Sequence, residues 1–290
     1  MPRILAVLLL FVSWHTEVPV LLPGPARAFD STAVKDPSIV FAEGSWHLFY
    51  TARGNGKYSL GYVSGPRLET LQAEPRTQLS GLSAPLYAAP QVFFFRPRKE
   101  WFLIYQTSAS NYQPMYSTTQ TIANPASWSA PHKLVTKVEG AKWIDFWVIC
   151  DEKYAYLFYT RDHNEVMARQ TPLASFPDGF GEAKTVFQGV HEAVHIYRER
   201  GRRRYTMLFE QREPDLSRRY SRAESGNLLG PWRLTNRTFA RASHGELIRE
   251  NSDERLQADL DHPRFLVQEL PAGGNRLDYP ELPWQLKLLQ

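Results

Sequence analysis

Three acidic residues begin segments that are otherwise apolar and suited to buried strands. Asp36 begins the segment DPSIVF, Asp145 begins DFWVIC and Glu192 begins EAVHIY. A carboxylate at the start of a buried strand is costly unless it is paired or functional. If the three groups converge, one carboxyl could protonate the leaving oxygen of a glycoside while another activates water or attacks the anomeric carbon. The third could raise the pKa of the acid by like-charge repulsion and orient it.

An internal repeat would bring these acids together. A short strand that ends in an apolar and then a polar residue recurs at intervals of about 50 to 60 residues. The copies begin at Trp46, Trp101, Tyr154, Tyr205 and Arg264. Most copies follow another apolar strand across a polar turn, which is typical of β-hairpins. Five units of this length, each with three or four short strands, predict an all-β fold, a five-bladed β-propeller.

The start of the first strand in each unit is the position that carries the chemistry. It holds Asp36, Gln91, Asp145 and Glu192, and the fifth unit has residues 244–246 (HGE) there. The first strand of a propeller blade lines the central axis, so matched positions meet at one mouth of the channel. We therefore predict three carboxylates around one funnel. The alternative is that each acid only satisfies backbone groups at a strand end, which three matched acids disfavour.

The composition excludes several other classes of protein. The chain has 290 residues, of which 43% are apolar, 22% charged and 13% aromatic, so it can bury a large core and is neither disordered nor fibrous. Its single cysteine, Cys150, excludes a disulfide scaffold. A net charge of +4 does not demand a nucleic-acid partner. His163 has no spacing typical of a ligand and is interpreted as structural or exposed.

Several strings give the chain a resemblance to a known family. They occur in the family's order from about residue 14 to the C-terminus. The strings are AVKDPSIV (33–40), AAPQVF (88–93), NPASWSAP (124–131), WIDFWVICD (143–151), SHGELIR (243–249) and LPWQL (282–286). With these strings the chain resembles the α-L-arabinofuranosidases of glycoside hydrolase family 62, which are five-bladed propellers that act on arabinoxylan.

The resemblance implies a mechanism and assigns roles to the three acids. The family inverts the anomeric configuration, so water is the nucleophile. By resemblance Asp36 is the general base, Asp145 the pKa-modulating aspartate and Glu192 the general acid. The resemblance also implies a calcium ion near the propeller axis with His244 as a ligand.

The resemblance further implies which residues bind the substrate. Five side chains would line the arabinose pocket or the xylan cleft: Lys35, Gln91, Trp147, Arg222 and Tyr279. Arg222 also has a physical argument, because residues 218–222 (RRYSR) could bring guanidinium donors to the sugar hydroxyls, although a solvated charged face explains the string equally well. His191 and Tyr87 stand where the family has Phe and Arg, and these departures concern substrate preference more than reaction type.

The N-terminus predicts export. Arg3 precedes a nine-residue apolar run at 4–12, which has the length of a signal peptide and is too short to span a bilayer. An A-x-A site at 26–28 places cleavage after Ala28, so residues 1–28 form an exported segment and residues 29–290 a single propeller catalytic domain. By resemblance, however, residues 19–25 could be the strand that closes the last blade. We expect a secreted, extracellular or periplasmic monomer without a membrane span.

The resulting hypothesis is an inverting α-L-arabinofuranosidase that removes arabinose from arabinoxylan or arabinan. One alternative is a related five-bladed glycosidase, either a β-xylosidase or an endo-arabinanase. The other is a carbohydrate-binding propeller without activity, which the presence of all three acids disfavours.

Overall fold

A computed structural model describes residues 14, 16–79, 87–107, 113–136, 142–214, 217–271 and 277–290. The apolar run at 4–12 and the side chain of Tyr87 lie outside this part of the chain. Short 3₁₀ helices at Leu68–Ala73, Leu173–Ser175 and Tyr279–Glu281 accompany a fold that is otherwise built from strands. No helix among the described residues is long and apolar enough to cross a bilayer.

The strands form five antiparallel sheets in chain order, which confirms the five-bladed propeller. Blade 1 consists of β2 (Ala33–Ala42), β3 (Ser45–Gly54), β4 (Lys57–Gly65) and β5 (Arg76–Gln78). Blade 2 consists of β6 (Tyr87–Phe95), β7 (Glu100–Thr107), β8 (Gln113–Thr119) and β9 (His132–Lys133). Blade 3 consists of β10 (Trp143–Cys150), β11 (Tyr154–Arg161), β12 (Glu165–Pro172) and β13 (Lys184–Gln188).

Blade 4 consists of β14 (Glu192–Glu199), β15 (Tyr205–Arg212), β16 (Arg218–Ser225) and β17 (Arg233–Ala240). A short strand, β19 (Gln257–Ala258), adds to it in parallel with β14. Blade 5 consists of β18 (Ser243–Leu247), β20 (Phe265–Glu269), β21 (Gln285–Leu289) and β1 (Glu17–Leu21).

Strand β1 decides between the two interpretations of the N-terminal segment. It pairs antiparallel with β21 and thereby joins the beginning of the chain to its last blade. Its residues Val20 and Leu21 are almost fully buried. The propeller therefore includes residues 17–21, in line with the interpretation that part of the N-terminal segment pairs with the last blade. Cleavage after Ala28 would remove a strand of blade 5.

Each first strand carries a β-bulge at the mouth of the axis. The bulges fall after Lys35, Ala88, Ile144, Glu192 and Ser243. In four blades the next residue has a positive φ, between 48° and 58°, which turns the strand sharply; these residues are Asp36, Ala89, Asp145 and Ala193.

These bulges show that the sequence alignment of the acids is one residue out in blade 4. The structurally equivalent positions are Asp36, Ala89, Asp145, Ala193 and His244. Glu192 is therefore equivalent to Lys35, and Gln91 to Trp147. Since a shift of one residue changes the face of a strand, Glu192 approaches the axis differently from the two aspartates.

The repeated strand ending explains how the bulges are held. The polar residue that ends the second-strand motif accepts the bulge N–H of the next blade at four of the five blade junctions. The contacts are Thr51 Oγ1 to Ala89 N at 2.8 Å, Gln106 Oε1 to Asp145 N at 3.0 Å, Glu210 Oε2 to His244 N at 2.9 Å and Gln268 Oε1 to Asp36 N at 2.8 Å. We call this contact the bulge clip. A buried N–H needs a partner, so the clip stabilises both the bulge and the blade junction.

Candidate active site

The three predicted acids lie in one cavity at the mouth of the axis. The cavity has a volume of about 770 Å³. Asp36, Asp145 and Glu192 line it together with Lys35 and Tyr279. His244 and the exposed His163 line it as well.

Asp36 is buried between two cationic side chains. Lys35 Nζ lies 3.5 Å from Asp36 Oδ2, and His244 Nδ1 lies 3.3 Å from Asp36 Oδ1. Burial alone would raise the pKa of Asp36, but the charges of Lys35 and His244 hold it below the ordinary value. The carboxylate is therefore ionised at neutral pH, as a general base must be.

Lys35 and Tyr279 form one wall of the cavity. Lys35 Nζ donates a hydrogen bond of 3.2 Å to Tyr279 Oη and lies 5.5 Å from the ring centre of Tyr58. Burial opposes the charge of Lys35, yet the negative charge of Asp36 and contact with the tyrosines raise the pKa of this amine. The ammonium and phenol present donors to any sugar hydroxyl that enters the cavity.

Asp145 connects the cavity to the backbone of blade 4. Its Oδ2 accepts a hydrogen bond of 2.8 Å from the N–H of Ala193, the residue that follows Glu192. Burial, and then the nearby charges of Glu192 and Asp36, raise the pKa of Asp145 to about 6, although His244 opposes the shift. Asp145 thus holds the bulge that carries the third acid.

Glu192 lies among cationic and titratable groups. Arg218 Nη1 donates a hydrogen bond of 3.1 Å to Glu192 Oε1. His163 Nδ1 and His191 Nε2 lie 3.8 and 3.9 Å from its oxygens. Burial would raise the pKa of Glu192, but Arg218, His191 and His244 bring it below the ordinary value. The rise in pKa through like-charge repulsion, which the sequence predicted for the general acid, is therefore found at Asp145 and not at Glu192, because cationic groups surround Glu192.

Glu210 is a fourth buried carboxyl that the sequence interpretation missed. It is fully buried opposite Glu192 on β15. Arg218 makes an ion pair with it as well as with Glu192. Burial and the charge of Glu192 raise the pKa of Glu210 to about 7. Its position at the end of the repeated strand motif was the available sequence signal, because the equivalent residues are Thr or Gln.

His244 reaches the cavity but does not by itself make a calcium site. Its ring is buried 5.2 Å from the ring of His195, and Nδ1 faces Asp36. Calcium takes six to eight oxygen ligands. Among the described residues, the group whose ligand atoms converge is instead His163, His191 and Glu192. In the part of the chain that the structure describes, His244 offers one nitrogen ligand beside the Asp36 carboxylate, so a calcium ion here would need further oxygen ligands such as water.

Three residues predicted to bind substrate are not in the cavity. Gln91 is fully buried, and its amide bridges blades 2 and 3 through the backbone N–H and C=O of Val148, both at 2.7 Å. Trp147 is buried with its ring 4.1 Å from the ring of His195. Both follow a bulge, so their side chains point into the blade junctions and hold the scaffold rather than the ligand.

Arg222 lies at the other end of blade 4. Its Nη2 is 3.1 Å from Glu199 and 2.7 Å from Glu224. Glu199 ends β14 whereas Glu192 begins it, so the two acids are about 23 Å apart along an extended strand. Of the arginines in residues 218–222, the one that reaches the cavity is Arg218, at the start of β16; Arg212, at the end of β15, lines the cavity as well.

A five-bladed propeller with carboxylates gathered at one mouth defines a glycoside hydrolase scaffold. The family model of glycosyl hydrolase family 62 matches residues 22–290, and the chain belongs to this family. It is 32% identical over 286 residues to α-L-arabinofuranosidase C of Cellvibrio japonicus, and the match covers 89% of this chain but 44% of that protein. The chain thus spans less than half the length of this relative.

Solved structures show the same likeness. The catalytic domain of a family 62 α-L-arabinofuranosidase from Coprinopsis cinerea is 32% identical, with a TM-score of 0.86 over 93% of this chain and 94% of that one. An α-L-arabinofuranosidase from Podospora anserina, solved in complex with cellotriose, is 28% identical with a TM-score of 0.84 over 93% and 94%.

Proposed function

We propose that this protein is an inverting α-L-arabinofuranosidase that releases L-arabinofuranose side groups from arabinoxylan or arabinan. The observation that supports this proposal best is that two acids from different blades, Asp36 and Glu192, line the same cavity. Asp36 is held ionised by Lys35 and His244, and Glu192 faces the same cavity from another blade, where Arg218 fixes its carboxyl group by a hydrogen bond. Family membership supports the same activity.

The proposed reaction uses water as its nucleophile. Asp36 accepts a proton from a water molecule that attacks the anomeric carbon, while Glu192 donates a proton to the departing xylan oxygen. The arabinose leaves with inverted configuration, and both carboxyls return to their starting states by exchange with solvent. Asp145 fixes the bulge beside Glu192, and Lys35 and Tyr279 offer donors to sugar hydroxyls.

The test is the release of sugar from wheat arabinoxylan by the full chain. We expect free arabinose as the product, and proton NMR should show its β-anomer first. Release of xylose would favour the β-xylosidase alternative, and release of arabino-oligosaccharides from linear arabinan would favour the endo-arabinanase. Binding of xylan without any released sugar would favour the carbohydrate-binding alternative.

Export stays part of the proposal. The apolar run at 4–12 supports a secreted or periplasmic protein, and β1 requires cleavage before residue 17 if blade 5 is to keep its strand. Edman sequencing of the exported protein would test both points. An N-terminus at Phe29 would contradict the second.

Calcium beside His244 also stays a prediction of the family resemblance. Titration calorimetry of chelator-treated protein with calcium chloride would detect a single site, and His244→Gln should weaken it. If the wild-type protein takes up no calcium, the prediction is wrong for this chain.

A further inference from the structure

We propose that Glu210 is a positioning residue for the proposed general acid: it anchors Arg218, and Arg218 in turn orients the carboxylate of Glu192. This inference rests on the proposed function, because it gives Glu192 the role of the acid.

The bulge clip does not require a charge. Its position in the five blades is occupied by four neutral residues and by one acid: Thr51, Gln106, Thr160, Gln268 and Glu210. In two of these blades a glutamine makes the bulge clip, with hydrogen bonds of 3.0 and 2.8 Å. A buried carboxylate costs more than a buried amide unless a cation pairs with it. The acid in blade 4 therefore has a second task.

That second task is visible in the two oxygens of Glu210. Oε2 makes the clip: it accepts hydrogen bonds from His244 N at 2.9 Å and from Ser243 Oγ at 2.8 Å. Oε1 turns the other way and pairs with Arg218 Nη1. One carboxyl thus joins the fixed bulge of blade 5 to a long and otherwise free side chain at the cavity.

Arg218, held by Glu210, also contacts Glu192. The same Nη1 that pairs with Glu210 donates to Glu192 Oε1 at 3.1 Å. Glu192 and Glu210 are direct partners across β14 and β15, so their side chains lie on one face of blade 4. His191 and His163 also face Glu192, but their nitrogens lie 3.9 and 3.8 Å away, too far for a hydrogen bond. The charges of His244 and Asp145 act on Glu192 from across the cavity, and Glu210 itself is in side-chain contact with it. Of the arginine and the two nearest histidines, the arginine is the one that orients the carboxylate directly.

The charge balance supports the same assignment. A lone guanidinium against Glu192 would stabilise its carboxylate and oppose the protonated form that an acid needs. Glu210 shares that positive charge, because one cation serves two carboxyls. Arg218 is therefore not the exclusive counter-ion of Glu192, although its charge still keeps the pKa of Glu192 below the ordinary value.

The experiment compares two substrates that need different amounts of proton donation. An aryl α-L-arabinofuranoside with an acidic phenol departs with little help, whereas the sugar hydroxyl of an arabinoxylan oligosaccharide departs only with a proton. Glu210→Gln keeps the clip used by Gln106 and Gln268 but removes the charge. We expect its kcat/KM to fall at least roughly tenfold on the oligosaccharide, less than for loss of an acid itself, and much less on the aryl substrate.

Two further variants separate positioning from general damage. Thr160→Val alters the equivalent position of blade 3, where the hydroxyl has no hydrogen-bond partner in the described part of the chain, and should leave the ratio of the two rates unchanged. In an Arg218→Gln background, Glu210→Gln should cause little further loss of activity, because both substitutions interrupt the same series of contacts from Glu210 through Arg218 to Glu192. Equal losses of Glu210→Gln on both substrates, or losses that multiply fully with Arg218→Gln, would overturn the proposal.

A crystal structure of Glu210→Gln provides a readout that does not depend on activity. We expect the Arg218 guanidinium to leave the Glu192 carboxylate, and an unchanged contact would contradict the anchoring role. If the wild-type enzyme cleaves neither arabinofuranoside, the proposed function fails, and the crystal structure still decides whether Glu210 positions Arg218.

Discussion

The Asp145 carboxylate accepts a hydrogen bond of 2.8 Å from the backbone N–H of Ala193, the residue next to Glu192. At the other four blade junctions, the equivalent N–H of the bulge donates a hydrogen bond to the polar side chain that ends the second-strand motif of the preceding blade. Thr160 occupies that place before blade 4, yet its hydroxyl has no partner among the described residues. Asp145 has replaced it, and one acid of the site thereby sets the backbone of another.

Replacement of Asp145 by Asn should stabilise the protein while it reduces activity. The folded protein raises the pKa of this carboxyl from 3.8 to about 6, so ionisation is harder in the folded than in the unfolded chain. The resulting penalty is absent below pH 3.8, grows as the pH rises to about 6 and is complete above it. Asn keeps an acceptor for Ala193 and removes the penalty, which amounts to at most about 3 kcal/mol.

Urea unfolding of Asp145→Asn and the wild type at pH 3.5 and pH 7.5 measures this effect. The variant should be more stable only at the higher pH, while its kcat on arabinoxylan falls. The same stability difference at both pH values would show that the charge of Asp145 is not the cause.

Loss of the base and loss of the acid should differ in their dependence on the leaving group. Asp36→Asn removes the group that activates water, so hydrolysis of every arabinofuranoside should fall by at least roughly 10²-fold. Glu192→Gln should fall as far on arabinoxylan but much less on an aryl substrate with an acidic phenol. Circular dichroism of both variants controls for folding. Near-normal hydrolysis of arabinoxylan by either variant would remove that residue from its role.

Arg218, at the start of β16, and Arg222, in the middle of that strand, should differ in their effect on activity. Arg218 contacts two carboxyls at the cavity, whereas Arg222 pairs with Glu199 and Glu224 at the far end of blade 4. We expect Arg218→Gln to lower kcat/KM, and to lower the urea midpoint as well, because it leaves the buried Glu210 without its cationic partner. Arg222→Gln should lower the urea midpoint, because it leaves buried Glu199 with fewer partners, and should preserve kcat/KM. A specific rise in KM for Arg222→Gln would restore it as a substrate-binding residue.

The sequence predicted the blades and the acids because both depend on a periodic pattern. The strand repeat fixed the number of blades, and Asp36 and Asp145 do occupy equivalent positions. The bulges could not be predicted, because one inserted residue leaves the hydrophobic pattern of the strand intact and shifts only its end. Glu192 therefore aligned one residue out, and Gln91 aligned two residues out.

Arg218 and Glu210 escaped prediction for another reason. Their roles depend on which charged side chains meet across β14, β15 and β16. The spacing of charged residues in the sequence does not determine how these strands pair. The string at 218–222 offered three arginines, and only the position of the β15–β16 turn determines which one reaches the cavity.

Removal of β1 should destabilise the propeller. A chain that begins at residue 29 lacks Val20 and Leu21, and the burial of each contributes roughly 1.5–3 kcal/mol. It also leaves β21 as an exposed edge strand, which promotes association. Chains that begin at residue 14 and at residue 29 can be compared by urea unfolding and by light scattering, with Leu21→Ala in the longer chain as the matched control. We expect the shorter chain to unfold at lower urea and to associate, and Leu21→Ala to lie between the two. Equal midpoints for the two chains would mean that blade 5 is stable without β1, and cleavage after Ala28 would then be compatible with the fold.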